Sequence, residues 1–195
     1  MDRFTRYEPD RHGKERLTHH PGFRIRQARP DDLESLATLS WQRNGGELDQ
    51  ETSNMRRAIS RSMSSDQRLL LIADLDHACV GYGKARFHTQ PPGAPENAAP
   101  EGWYLSGLVV EESYQRRGVG EALTRSRLAW LQLRCREVFY LANARNQASV
   151  DLHDRLGFRE VTRDFEYPRV TFDGGEGILF RVRLPLFSGV ARKPV

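Results

Sequence analysis

The 195-residue sequence has few cysteines, no apolar run of membrane length and no signal-like N-terminus. Its two cysteines, Cys79 and Cys135, are far apart and lack metal-ligand spacing. We therefore expect buried thiols in a reducing cytoplasm, and neither a disulfide nor a metal site. No stretch approaches the roughly 18 apolar residues of a transmembrane helix, so we expect no membrane partner. The charged N-terminus lacks the apolar core of a secretory signal.

The charge balance is mildly basic but has no pattern typical of nucleic-acid binding. Lysine and arginine number 30 and aspartate and glutamate 26, which gives a net charge of +4. The basic residues are scattered among acids and do not form a run with interleaved aromatics. The sequence thus argues against a nucleic-acid partner, while a polyphosphate ligand suits it equally well.

The length predicts one α/β domain over residues 22–185, with a polar N-terminal extension at 1–21 and a C-terminal tail at 186–195. The adjacent His19 and His20 in the extension are expected to be solvated.

Hydrophobic periodicity predicts the order strand, two helices, three strands, helix, strand, helix, two strands. The predicted strands cover 23–27, 69–73, 79–87, 103–110, 138–142, 158–165 and 177–184. Of the four predicted helices, the first begins at Pro30, the second covers 50–63, the third begins at Val119 and the fourth covers 146–156. The third helix has an apolar face formed by Val119, Ala122, Leu123, Ser126, Ala129, Trp130 and Leu133. A Gly-rich turn at Asp173-Gly174-Gly175 joins the last two strands.

The segment Gln115-Arg116-Arg117-Gly118-Val119-Gly120 lies between a predicted strand and a predicted helix. Unpaired N–H groups and the helix dipole make such a helix start suitable for an anion. The glycines let the backbone approach phosphate oxygens, and the arginines can add charge-assisted contacts.

Two other phosphate-binding motifs do not fit. A Walker A loop needs Lys followed by Ser or Thr, but Glu121 and Ala122 follow Gly120. A dinucleotide fingerprint needs a third glycine where Leu123 stands.

The segment 115–120 resembles the Q/R-x-x-G-x-G/A signature of the GNAT acetyltransferase superfamily. Downstream, Asn146-Gln147-Ala148-Ser149 and Leu156-Gly157-Phe158-Arg159-Glu160 resemble its next helix and strand, and the likeness extends over about residues 23–184. The resemblance implies acetyl-coenzyme A as co-substrate. It also implies an α/β (α+β) fold with a mixed, mostly antiparallel sheet of six to seven strands and about four helices. That sheet would be splayed at the strand after the 88–101 loop.

The resemblance also implies which residues bind the cofactor. The strand end at Leu108, Val109 and Val110 would bind the pantetheine arm through its main chain. The pyrophosphate would lie on the loop and helix start, formed by Gln115, Arg116, Arg117, Gly118, Val119, Gly120 and Glu121. Asn146 and Ser149 would complete the cofactor site, although Asn146 also suits a purely structural N-cap.

The catalytic residues are harder to predict. His153 occupies the position of a tyrosine that, in many members, donates a proton to the coenzyme A thiolate. An imidazolium could do the same. Alternatively, His153 is a surface residue next to Asp154, and solvent protonates the thiolate. Tyr140 and Tyr104 are other hydroxyls that could reach the sulfur. For the general base, Glu101 is the first candidate, and Glu47 and Asp49 are the second.

The sequence thus predicts a cytoplasmic N-acetyltransferase that acts on the primary amine of a small molecule, such as an aminoglycoside, a polyamine or an amino-acid derivative. Direct attack in a ternary complex is favoured, because neither cysteine resembles an activated nucleophile. The alternatives are a protein N-terminal or lysine acetyltransferase and a non-catalytic coenzyme A sensor. A homodimer is plausible by resemblance.

Overall fold

The computed structural model describes residues 22–172 and 174–185. The predicted extensions at 1–21 and 186–195, including His19 and His20, lie outside the described residues, as does Asp173 of the predicted Gly-rich turn.

The described residues form seven strands and four α-helices in the predicted order. The strands are β1 (Arg24–Gln27), β2 (Arg68–Leu75), β3 (Ala78–His88), β4 (Gly102–Val110), β5 (Glu137–Asn143), β6 (Arg159–Thr162) and β7 (Gly177–Arg183). The helices are α1 (Leu33–Asn44), α2 (Leu48–Ser64), α3 (Val119–Leu131) and α4 (Gln147–Arg155), with single 3₁₀ turns at Pro30–Asp32 and Glu112–Tyr114.

All seven strands belong to one sheet, in the order β1-β2-β3-β4-β5-β7-β6. Only the central β4–β5 pair is parallel; every other neighbouring pair is antiparallel. The parallel pairing extends only from Trp103 opposite Val138 to Leu105 opposite Tyr140. Beyond Leu105 the two strands separate, which confirms the predicted splay after the 88–101 loop and opens a cleft through the sheet.

Helices cover both faces of the sheet. On one face, α1 and α2 bury Leu36, Met55 and Ile59 against β2 and β3. On the other, α3 buries Val119 and Leu123 in the largest apolar cluster of the described residues. The cleft therefore opens between two packed layers, and each layer lines one of its ends.

Two predicted details were wrong. Leu133 was predicted on the apolar face of the third helix, but α3 ends at Leu131. The N–H groups of Arg134 and Cys135 both donate to the Leu131 carbonyl, and the turn that they close leaves Leu133 71% exposed. The strand predicted at 158–165 ends at Thr162, where the hydroxyl of Thr162 accepts from the Asp164 N–H and closes a turn.

Within the two described ranges, no helix combines the length and apolar character that crossing a bilayer requires. The same ranges contain no group of three or more His, Cys, Asp or Glu side chains arranged to hold a metal ion.

Candidate functional site

A cavity of about 600 Å³ occupies the cleft where β4 and β5 separate. Residues from both helical layers line it, because the cleft passes through the sheet. The lining includes Leu108 and Val109 of β4, Asn146 and Ser149 at the start of α4, the buried Arg127, Tyr140 and His153, and Ser40, Glu51, Tyr82, Lys84, Arg86, Tyr104 and Tyr167. A long, thin ligand could thus reach one face of the sheet from the other.

The N-terminus of α3 presents unpaired backbone donors beside this cleft. Gly118 is the N-cap, with φ of 83°, and no side chain caps the helix. The first helical hydrogen bond runs from Ala122 N–H to Gly118 O at 2.9 Å. The N–H groups of Val119, Gly120 and Glu121 therefore have no acceptor among the described residues. Together with the helix dipole, they form a site suited to phosphate.

The two glycines of the loop contribute differently. Gly118 adopts the left-handed backbone region that favours glycine, and a β-carbon there would meet no atom within 4 Å. A β-carbon on Gly120 would lie 3.7 Å from Leu108 Cδ2 and 3.8 Å from both Leu152 Cδ2 and Val110 Cγ2. A longer side chain at position 120 would therefore extend between β4 and α4, at the edge of the cleft.

The loop before α3 is fixed to the end of β4. The Gln115 side-chain amide donates to the Val110 carbonyl at 3.1 Å, so this residue braces the turn. Arg116 and Arg117 are exposed on the rim, and the Arg117 guanidinium lies 5.7 Å from the centroid of the Tyr114 ring. Both arginines lie where they could contact an anion at the helix start.

Two of the predicted cofactor residues can contribute only their main chain. The Val119 side chain is buried in the core, 1% exposed. The Glu121 carboxylate pairs with Arg125 one turn along the helix, at 2.9 Å. Their backbone N–H groups, in contrast, point out of the first turn of α3.

Asn146 and Ser149 lie at the start of α4 and line the cavity. The Asn146 side-chain oxygen accepts from the Ser149 N–H at 3.3 Å, so its predicted N-cap role is confirmed. The Ser149 hydroxyl shares a hydrogen bond with the Tyr140 hydroxyl. These contacts join the start of α4 to β5 at the point where the sheet opens.

His153 is buried, not on the surface, and is only 1% exposed. Its Nδ1 lies 2.8 Å from the Ser149 carbonyl oxygen. Because a carbonyl only accepts, Nδ1 carries the hydrogen and Nε2 carries the lone pair in the neutral ring. Nε2 is buried and has no hydrogen-bond partner among the described residues. Burial lowers the pKa of His153 to about 3, so the imidazole is neutral at pH 7.

Tyr140 lies at the apex of the splay, as the last β5 residue paired with β4. Its ring stacks on His153, and its hydroxyl contacts Ser149 at the cavity wall. Burial raises the pKa of Tyr140 to about 12, so its hydroxyl keeps its proton at neutral pH. The other hydroxyl considered from sequence, that of Tyr104, donates to the Pro100 carbonyl at 2.8 Å.

The three carboxylates suggested by the sequence do not line the cavity. Glu101 is exposed at the start of β4 and accepts from the Gln90 N–H at 3.3 Å. Glu47 and Asp49 are exposed at the start of α2. Among the described lining residues, the one carboxylate is that of Glu51, which accepts from the Ser40 hydroxyl at 2.6 Å.

Sequence reasoning missed Glu51, although a signal was present. It lies four residues before Met55 and eight before Ile59, both buried in the core. The 3.6-residue period therefore places Glu51 on the inward side of α2, whereas Glu47 is the exposed N-cap of the helix and Asp49 is exposed in its first turn.

Sequence reasoning also missed Arg127, which is 1% exposed within α3. Its guanidinium donates to the carbonyls of Lys84 at 3.0 Å and Ser106 at 3.3 Å, and to the Thr124 hydroxyl at 2.8 Å. It lies against Gly83, where a β-carbon would come within 2.9 Å of its Nε. Arg127 therefore replaces strand pairing at the irregular point between β3 and β4.

The two cysteines do not line the cavity. Burial raises the pKa of the Cys79 thiol to about 11 and also raises the pKa of Cys135. Neither thiol is activated as a nucleophile, because the thiolate is the reactive form.

Comparisons with known proteins agree with this geometry. The sequence model of the acetyltransferase (GNAT) family matches residues 31–158. A comparison with curated protein sequences finds no match.

Solved structures with a similar fold cover most of the chain. One is AAC(6')-Iy in complex with the bisubstrate analogue CoA-S-monomethyl-acetylneamine, with 25% identity, a TM-score of 0.61, and 76% of this chain and 99% of that chain covered. A second is PaiA N-acetyltransferase from Thermoplasma acidophilum in complex with coenzyme A, with 16% identity, a TM-score of 0.58, and 83% and 98% covered. A third is the ribosomal-protein-S18-alanine N-acetyltransferase from Escherichia coli, with 16% identity, a TM-score of 0.60, and 88% and 99% covered.

Proposed function

The chain belongs to the GNAT acetyltransferase family, and from this we propose that it transfers the acetyl group of acetyl-coenzyme A to the primary amine of a small molecule. The observation that carries the proposal is that the cavity holding the Glu51 carboxylate is also lined by Leu108, which lies beside the unpaired N–H groups of α3: a β-carbon on Gly120 would be 3.7 Å from Leu108 Cδ2. The helix start suits a phosphate-bearing carrier, and the carboxylate suits a base acting on an amine.

The residues present fit coenzyme A. The N–H groups of Val119, Gly120 and Glu121 would hold its pyrophosphate, with Arg116 and Arg117 on the rim. The edge of β4 beyond Leu105 has no strand partner on the β5 side, so its main chain can bond to the amides of the pantetheine arm. When bound, acetyl-coenzyme A supplies an activated acetyl group as a thioester.

We propose Glu51, and not Glu101, as the general base. An amine of pKa about 10.4 is mostly protonated at neutral pH, and its deprotonation costs roughly 4–5 kcal/mol. Glu51 lies inside the cavity, and the Ser40 hydroxyl orients its carboxylate. Glu51 would remove the proton directly or through one water.

The transfer would then occur in one step between the two substrates. The amine nitrogen forms a bond to the acetyl carbon, the carbon–sulfur bond breaks, and the electron pair leaves with sulfur. A covalent acetyl-enzyme on cysteine is disfavoured, because both thiols have raised pKa values and lie outside the cavity.

We propose that the Tyr140 hydroxyl protonates the departing sulfur. It lies at the apex of the splay, it remains protonated at pH 7, and Ser149 orients it. His153 as the donor stays a prediction from the sequence. Against it stand its burial and the commitment of its one N–H to the Ser149 carbonyl.

The size of the cavity favours a small acceptor over a protein. About 600 Å³ falls within the range of small-ligand pockets, roughly 300–1,000 Å³. Protein N-terminal or lysine acetylation is the second candidate, because the Escherichia coli enzyme with a similar fold is a ribosomal-protein alanine N-acetyltransferase. A non-catalytic coenzyme A sensor is the third.

The proposal also covers the localisation and the oligomeric state of the protein. Free Cys79 and Cys135 support a cytoplasmic enzyme, since free thiols persist in reducing compartments. A homodimer stays a prediction, which sedimentation of the full chain would test.

Three glutamate-to-glutamine variants test the function. Glu51→Gln should lower kcat by about 100-fold, within the range of general-base catalysis, and should remove the acid limb of the pH–rate profile. Glu47→Gln and Glu101→Gln, altered outside the cavity, should retain the wild-type profile. A normal Glu51→Gln profile would contradict the assignment of the base. Binding of acetyl-coenzyme A without release of thiol with any amine would instead support a sensor.

A further inference from the structure

The part of the cavity between α1, α2 and β3 contains an excess of positive charge. We call this part the acceptor chamber; its walls are Ser40, Glu51, Tyr82, Lys84, Arg86, Tyr104 and Tyr167. The charged side chains of the chamber are Lys84 and Arg86, with Glu51 as the one carboxylate among the described residues that line the cavity. The chamber therefore carries more positive than negative charge, which disfavours polycations and favours anions.

Lys84 is held in the chamber without a counterion. Its stem packs on Gly107, where a β-carbon would lie 3.2 Å from Lys84 Cδ. Its ammonium lies 5.2 Å from the centroid of the Tyr82 ring, and no residue in the described ranges forms a hydrogen bond or ion pair with it. Burial lowers the pKa of Lys84, and the charge of Glu51 acts in the opposite direction. Such a partly desolvated cation gains from a bound anion.

Arg86 and Tyr167 add two buried polar groups that are not fully satisfied. The Arg86 guanidinium lies 5.1 Å from the centroid of the Tyr167 ring and opposes the effect of burial, which raises the pKa of Tyr167. Arg86 Nε and the Tyr167 hydroxyl oxygen are both buried, and neither forms a hydrogen bond of regular geometry within the described part of the chain. Buried polar groups are nearly always satisfied, so two adjacent unsatisfied groups in a cavity wall indicate an external acceptor. A carboxylate accepts from both at once.

The positive charge of Arg86 also affects the pKa of two neighbouring residues. Burial and then Arg86 lower the pKa of His88. Burial, Arg61 and Arg86 lower the pKa of Arg68, which is directly opposite Arg86 in the β2–β3 pair.

We propose that the acceptor is an amine that also carries an anionic group, as a free amino acid does. Its anion binds Lys84, Arg86 and Tyr167, and its amine lies toward Glu51. This inference rests on the proposed acetyl transfer and narrows its substrate class. It makes aminoglycosides and polyamines poor acceptors, because their several ammonium groups would face Lys84 and Arg86.

The direct test compares acceptors that differ only in the anionic group. The full chain is assayed for thiol release from acetyl-coenzyme A with the standard amino acids, with their carboxamides, and with ethanolamine, O-phosphoethanolamine, spermidine and an aminoglycoside. The best amino acid should exceed its carboxamide by about 10- to 100-fold in kcat/KM, the range expected for a charge-assisted hydrogen bond. The comparison of O-phosphoethanolamine with ethanolamine shows whether the chamber accepts any anion or selects carboxylates.

Variants of the charged residues test whether the preference for an acid over its carboxamide arises in the chamber. Lys84→Gln and Arg86→Gln should each reduce the ratio of acid to carboxamide by about tenfold, mainly through KM. Lys84→Arg should restore most of the preference, which a purely structural role would not predict. Arg56→Gln, at an exposed position of α2 outside the cavity, is the matched control and should leave the ratio unchanged.

The outcomes separate this inference from the proposed function. Faster transfer to carboxamides, spermidine or the aminoglycoside would overturn the anionic acceptor and leave small-molecule acetyl transfer intact. An acid preference that survives both glutamine variants would also overturn it. Absence of transfer to every amine tested would contradict the proposed function, and the inference with it.

Discussion

The imidazole of His153 lies flat on the ring of Tyr140, with ring centroids 3.6 Å apart and planes 8° from parallel. Both rings bond to Ser149, the imidazole through the Ser149 carbonyl and the phenol through its hydroxyl. The histidine thus fixes the position of the tyrosine at the apex of the splay. With Tyr140 as the proposed acid, His153 is a positioning residue.

Protonation of His153 should destabilise the fold. Its folded pKa of about 3 lies below the unfolded value of about 6.5, so the unfolded state binds more protons between these values. The free energy of unfolding should therefore be fully retained above pH 6.5. It should fall toward pH 3 by up to about 1.4 kcal/mol per pH unit from this group alone. Urea unfolding at several pH values measures the slope.

The matched comparison uses His153→Gln and His77→Asn. His153→Gln should flatten the slope between pH 6.5 and 4, whereas His77→Asn, in the exposed β2–β3 turn, should retain it. Equal slopes in all three proteins would mean that His153 is not held neutral by burial.

Replacing Tyr140 should affect chemistry more than folding. Tyr140→Phe keeps the stacked ring and removes the hydroxyl, so kcat should fall by about 100-fold with little change in coenzyme A affinity. Tyr104→Phe loses only the hydrogen bond to Pro100 and should change kcat less than threefold. His153→Phe tests the prediction from sequence: if the histidine is the acid, its kcat should fall as far as that of Tyr140→Phe. A wild-type kcat for Tyr140→Phe would contradict the assignment of the acid.

Arg127 should be a strong determinant of stability. Arg127→Met removes the donors that satisfy the carbonyls of Lys84 and Ser106, so the free energy of unfolding should fall by about 2–3 kcal/mol. Arg125→Met, on the exposed side of the same helix, breaks only an i,i+4 pair with Glu121 and should cost less than about 0.5 kcal/mol. Urea unfolding measures the free energy of unfolding of both variants. An equal loss in Arg127→Met and Arg125→Met, or a more stable Arg127→Met protein, would contradict the structural role of Arg127.

The cysteines should be dispensable for transfer. Because both thiols have raised pKa values and lie outside the cavity, Cys79→Ala and Cys135→Ala should keep kcat within about threefold of wild type. Mass spectrometry after mixing with acetyl-coenzyme A alone should detect no acetylated chain. An acetyl group on either cysteine, discharged when amine is added, would replace direct attack with a two-step reaction.

The sequence predicts the elements well because their signals are local. Alternating or continuous apolar residues predicted all seven strands, and the Gly118–Gly120 loop predicted the start of α3. Two predictions failed at ends, where turn hydrogen bonds override periodicity: Leu131 accepts two bonds and ends α3 before Leu133, and Thr162 ends β6.

The interior of the site could not be predicted, because its polar residues contradict their usual preference for solvent. Arg127 faces the core where the apolar pattern predicted Ala129, which is exposed. The burial of Arg127 depends on Gly83 and on the carbonyls of Lys84 and Ser106, which the irregular pairing of β3 with β4 leaves without strand partners. All three residues are distant from Arg127 in the sequence. Glu51, Lys84 and Arg86 likewise meet only because α2 and β3 pack on one face of the sheet.

Binding of coenzyme A at the start of α3 is tested by calorimetric titration of coenzyme A into Gly120→Leu, together with thermal unfolding of that variant. The variant should fold with an unchanged or higher melting temperature, because leucine favours a helix more than glycine and the β-carbon has room. Coenzyme A affinity should fall by at least about 100-fold, because the side chain extends between β4 and α4 beside the N–H groups that we propose hold the diphosphate. A folded Gly120→Leu protein that binds coenzyme A as tightly as wild type would mean that the start of α3 is not the diphosphate site.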